Sequence, residues 1–95
     1  MNKTKYTVKY TNKFSKDLKL MKKRGYKIKP LEKIVEMLAN GEKLPIKNKD
    51  HALKGKYIGH RECHITPDWL LVYRIIDNEL ILLLTNTGTH SDLFE

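Results

Sequence analysis

The sequence predicts a small α+β domain in the order β-α-α-β-β-β, with two helices packed on one face of a mainly antiparallel, twisted sheet. Three observations carry that expectation. Near the start, "YTVKY" (Tyr6 to Tyr10) alternates with period two. Two apolar stripes of helical period follow, between Phe14 and Leu38. Three strand-length apolar segments are then crowded between Tyr57 and Thr85.

Each element has its own local reason. Tyr6 to Tyr10 is rich in β-branched and aromatic residues and reads as a first strand. Thr11 or Asn12 can cap the helix that follows, where Phe14, Leu18 and Met21 recur on one face among lysines. Gly25 closes that helix. Pro30 suits a first helical turn, and Leu31, Ile34, Val35 and Leu38 form the second stripe, ending at Asn40-Gly41. From Gly41 to Gly55 the chain is polar and broken by Pro45, a long connection. Strands are expected over about Tyr57 to Ile65, Trp69 to Ile76 and Glu79 to Thr85, the last two joined tightly at Asp77-Asn78. "LLVYRII" and "LILLL" are apolar on both faces, as central strands are. With both helices on one face, the other is left partly open, with only the tail after Asn86 to cover it.

The 95 residues suit one domain with a modest core, residues 1–95. No apolar run approaches the roughly 18–20 residues of a membrane span, and the longest, Leu80 to Leu84, is strand length. "MNKTKYTVKY" has no apolar leader core, and a lone Cys63 fits a reducing cytoplasm. Lys and Arg number 19 against 11 Asp and Glu, a formal charge of +8. Twelve of those cations and only Asp17 and Glu32 fall within residues 1–33. One end of the chain is therefore a cationic surface suited to phosphate backbones, since each contact releases condensed counterions. An acidic protein segment would satisfy the same charge, and lysine-rich helices also simply keep small proteins in solution.

Four histidines are available: His51, His60, His64 and His90. Alternation along the strand sends Cys63 and Ile65 to the helix-covered face and Glu62 and His64 to the open one. Asp68 and Trp69 follow the turn at Pro67, and "GTHSDLF" returns His90 and Phe94 to the same rim. His51, His64, Asp68 and His90 are thus expected to converge on one patch. Two imidazoles flanking a phosphodiester can act as base and acid without a metal, because RNA supplies its own 2′-hydroxyl nucleophile. Trp69 and Phe94 would stack on a base, and Arg74, a cation inside an apolar strand, must either snorkel or meet an anion such as a phosphate. Ordinary structural readings stand beside these. His51 also fits a loop histidine, His64 a satisfied sheet residue, Asp68 a turn residue and Trp69 a core residue, while His60 looks like a bend residue. A zinc site is the competing chemistry, but its candidate ligands fall on predicted strands and turns rather than on one face of a helix or in a knuckle.

Read together, "HALKGKYIGHRECHITPDWLLVYRI" and "TGTHSDLF" resemble the YafQ branch of the RelE/ParE superfamily of bacterial type II toxins. The resemblance covers nearly the whole chain and implies a RelE-like fold. It also implies a ribosome-dependent messenger-RNA endoribonuclease that cuts in the decoding site and needs no metal or other cofactor. Carried over by residue, the catalytic set falls on His51, His64, Asp68 and His90, with Phe94 as terminal aromatic and Trp69 as a neighbour. The implied partners are the 70S ribosome, its messenger RNA and a cognate antitoxin with an acidic segment, all in the cytoplasm. Two alternatives share the fold: a ParE-like inhibitor of DNA gyrase, and a basic nucleic-acid-binding module without catalysis.

Overall fold

The computed structural model describes residues 4–94. Strand β1 (Thr7–Tyr10) leads into helices α1 (Asn12–Lys23) and α2 (Lys29–Ala39), then strands β2 (His51–Ala52), β3 (Arg61–Thr66), β4 (Trp69–Ile76) and β5 (Ile81–Gly88), and a short helix α3 (His90–Phe94). The sheet runs in the order β1-β5-β4-β3-β2. Among the described strands, only β1 against β5 is parallel; the other pairs are antiparallel. This is the α+β arrangement the sequence predicts.

The helices form where their caps and stripes place them. Thr11 Oγ1 accepts the Phe14 amide at 3.0 Å and donates to the Thr85 carbonyl at 2.9 Å, so one hydroxyl starts α1 and ties it to β5. Gly25, at φ 91°, turns the chain out of α1. Pro30 lies in the first turn of α2, where no amide partner is lost. Phe14, Met21, Leu31, Ile34 and Leu38 then bury against Cys63, Ile65, Trp69, Leu71, Tyr73, Leu82 and Leu84 in one core.

Several boundaries differ from the sequence expectation. The second predicted strand, observed as β3, begins at Arg61 rather than Tyr57, because Gly55–Tyr57 is a 3-10 turn and Gly59 takes φ 88°. The Asp77-Asn78 hairpin is a 3-10 turn over Asp77–Glu79, closed by Leu80 in the left-handed region at φ 53°. Strand β5 continues past Thr85 because Leu70 finds a partner as far as Gly88. The long connection also contributes a strand of its own. Asp50 accepts from Tyr73 Oη at 2.6 Å and Arg61 Nε at 3.3 Å, which pins the residues beside it to the sheet edge as β2.

The face away from the helices is not bare at its centre. Leu70 and Val72 point there, opposite in sense to Leu71 and Tyr73, yet they are only 2% and 1% exposed. The open surface is therefore the edge made by β2 and β3 together with the end of the sheet where α3 begins.

Candidate active site

Cross-strand pairing fixes which side chains share the second face. His51 lies opposite Glu62 and Val72, and His64 lies opposite Leu70 and, one strand further, Gly88. Paired residues point the same way, so His51, Glu62 and His64 occupy neighbouring rows on that face. The His51 ring is oriented at both nitrogens. Its Nδ1 is 2.7 Å from the Lys49 carbonyl, which can only accept, so Nδ1 carries the hydrogen. Its Nε2 then faces Glu62 Oε1 at 3.6 Å. Glu62 is a buried carboxylate, and its second oxygen has no hydrogen-bond partner among the described residues. Such an orphan acceptor is costly unless a ligand or proton donor meets it in use. His64 lines a shallow groove of about 220 Å³ with Lys47, Asn48, Thr66 and Pro67. Buried Asn48 donates to the His64 carbonyl at 2.7 Å and holds that backbone in place.

Asp68 is held by two hydroxyls. Tyr26 Oη donates to one oxygen at 2.6 Å and Thr66 Oγ1 to the other at 3.0 Å. The hydrogen bond from Tyr26, then that from Thr66, hold the carboxyl below its usual range, so it is ionised at neutral pH. No hydrogen bond joins it to His64 or His90 among the described residues. The same logic acts on Asp92, whose pKa is lowered mainly by the Arg24 guanidinium and by the Thr89 amide. Both groups bind protons less readily folded than unfolded. Their stabilisation is therefore complete above the ordinary aspartate value of about 4 and is lost as pH falls through the depressed values. Thermal melting from pH 6 to pH 2 should show the transition temperature falling below about pH 4, and Asp92→Asn should flatten part of that fall. An equally steep acid limb in Asp92→Asn would contradict the assignment.

His90 opens α3 just past Gly88, at the same end of the sheet as His64. The backbones of His64 and Gly88 are two strand spacings apart, about 10 Å. His90 contacts Phe94 with ring centroids 5.2 Å apart, Phe94 meets Tyr57 at 5.9 Å, and Tyr57 meets His60 at 5.8 Å. These rings form a continuous row along the rim. Arg74 is exposed on the second face, one row beyond Val72, and has no carboxylate partner among the described residues. Trp69 corrects the expectation placed on it. Its ring is 1% exposed, its Nε1 donates to Thr87 Oγ1 at 2.8 Å, and Tyr26 packs edge-on at 5.4 Å, so it presents no face to a nucleobase. Cys63 offers no nucleophile either, since burial pushes its thiol up to about 12.

Three residues were given no functional role by the sequence. Alternation placed Glu62 on His64's face, but its unpartnered carboxylate oxygen is visible only in the fold. Tyr57 and Tyr26 were not legible, because their roles arise from contacts with Phe94 and Asp68 that are distant in the chain.

The model of the family described as the bacterial toxin of type II toxin-antitoxin system, YafQ, matches residues 6–95. The chain belongs to the YafQ family of toxins. Among curated YafQ proteins, the mRNA interferase toxin YafQ of Escherichia coli K12 is 39% identical over 88 residues, 92% of this chain and 94% of that protein. Of the solved YafQ structures, the E. coli DinJ-YafQ toxin-antitoxin complex superposes with a TM-score of 0.86 at 37% identity, covering 96% of this chain and 99% of the other. A metal-bound toxin from Helicobacter pylori gives a TM-score of 0.88 at 47% identity, covering 94% and 99%. No helix among the described residues is long and apolar enough to cross a membrane.

Proposed function

We propose that this YafQ-family toxin is a metal-independent, ribosome-dependent endoribonuclease that cuts messenger RNA in the decoding site. The observation that supports it most is the partly unsatisfied Glu62 carboxylate facing His51 Nε2 at 3.6 Å, with His64 in the next row. A base is needed to take the proton of the 2′-hydroxyl. His64, with the Glu62–His51 pair beside it, is the group on that side. The 2′-oxygen then bonds to phosphorus and the bond to the 5′-oxygen breaks. His90 gives the leaving oxygen its proton, and Phe94 and Tyr57 pack against the nucleotide on that side. Exposed Arg74 and Lys47 stabilise the charge that builds on phosphorus. Asp68 contributes orientation and charge, because an ionised carboxylate held by Tyr26 and Thr66 is a poor proton carrier.

The basic first third of the chain docks on ribosomal phosphates, and the protein works in the cytoplasm where translation occurs. A cognate antitoxin covers this surface with an acidic segment, as complementary charge favours. Mapping the RNA ends made on translating ribosomes tests the proposal. Attack by the 2′-hydroxyl leaves a 2′,3′-cyclic phosphate and a 5′-hydroxyl. A 3′-hydroxyl with a 5′-phosphate would refute the mechanism, and intact transcripts alongside impaired supercoiling by gyrase would refute the activity.

A further inference from the structure

Helix α3 has five residues, too few to persist without outside support. Part of its support is local. Thr89 and Asp92 form a reciprocal capping box, with the Thr89 amide donating to Asp92 Oδ2 at 2.8 Å and the Asp92 amide to Thr89 Oγ1 at 3.2 Å. The rest comes from the far end of α1. Arg24 grips the same carboxylate with both prongs, Nη1 to Oδ2 at 2.6 Å and Nη2 to Oδ1 at 3.1 Å. Gly88 lets this happen, since a Cβ there would stand 2.9 Å from the Asp92 Cβ. One carboxylate therefore caps α3 and bolts it to the residue that closes α1.

We propose that Arg24 is a positioning residue for RNA cleavage: through Asp92 it fixes where α3 sits, and so where His90 and Phe94 meet the scissile phosphate. The inference rests on the proposed active site. It also removes Arg24 from the set of cations free to bind phosphate, because its fork is already occupied. The pair is partly exposed, with Arg24 and Asp92 side chains 38% and 26% accessible. Its loss should therefore cost a moderate factor and leave the fold intact.

Single-turnover cleavage by Arg24→Ala on saturating translating ribosomes separates the possibilities. The maximal rate should fall about three- to tenfold, allowing for solvent screening of the pair. The half-saturating ribosome concentration should hold, and hydrogen exchange in α3 should quicken. Asp92→Asn keeps an acceptor for the cap and loses the ion pair. It should match Arg24→Ala, and the double variant should lose no more than either alone. Should Arg24→Ala melt early, Asp92→Asn carries the test with the same expected fall. A wild-type maximal rate, a loss confined to half-saturation, or fully additive losses would overturn the proposal. His90→Ala serves as the control: wild-type cleavage by that variant would sink the active site itself, whatever Arg24 does.

Discussion

His90→Ala is expected to lower mRNA cleavage by roughly 10²–10⁴-fold while leaving folding and antitoxin binding near wild type. The size follows from removing a proton donor to a leaving alkoxide, a poor leaving group unless protonated as the bond breaks. The selectivity follows from its place in the fold. His90 is exposed at the start of α3, touches only Phe94 among the described rings, and contributes nothing to the core. Cleavage of a defined message on purified ribosomes gives the rate, and thermal melting gives the stability. A rate within threefold of wild type would exclude His90 as the acid. Loss of rate with early melting would mean that the ring only props up the C-terminal helix.

Trp69→Ala should act in the opposite sense, destabilising the fold by about 3–5 kcal/mol. A domain this small has only about 5–15 kcal/mol in hand, so a large part of its margin disappears. The Trp69 ring sits among Tyr26, Leu71 and the helix residues, and its indole N–H is satisfied by Thr87, whose own hydroxyl donates to the Leu70 carbonyl at 2.6 Å. Truncation would leave a large cavity beside a polar group without its donor. Urea unfolding measures the loss. Near-wild-type stability with weakened RNA binding would instead mean that the indole stacks on a base.

The two variants mark where the sequence was readable and where it was not. Strand alternation assigned Cys63 and Ile65 to the helix side and Glu62 and His64 to the other, because period two survives any change of loop. The helix stripes were equally secure. Trp69 sits beside Asp68 in the sequence, yet the turn at Pro67 sends its ring inward, and proximity in the chain carries no information about that choice. The arrangement of His51, His64, Asp68 and His90 was legible to different degrees. His51 and His64 share a face by register, whereas Asp68 is captured by Tyr26 across 42 positions of sequence. Strand β2 and helix α3 were missed for a related reason. Each is shorter than a periodicity can reveal, and each is held by distant anchors, Tyr73 and Arg61 through Asp50 in one case and Arg24 through Asp92 in the other.

The parallel seam between β1 and β5 pairs Thr7 with Ile81 and Tyr10 with Leu84. An early segment thus waits for partners made more than seventy positions later, and the outer border of the sheet cannot close on a nascent chain until those partners leave the exit tunnel. That pairing spans the greatest sequence separation in the sheet, so the border strand is expected to join only after the antiparallel hairpins of β3, β4 and β5 have formed.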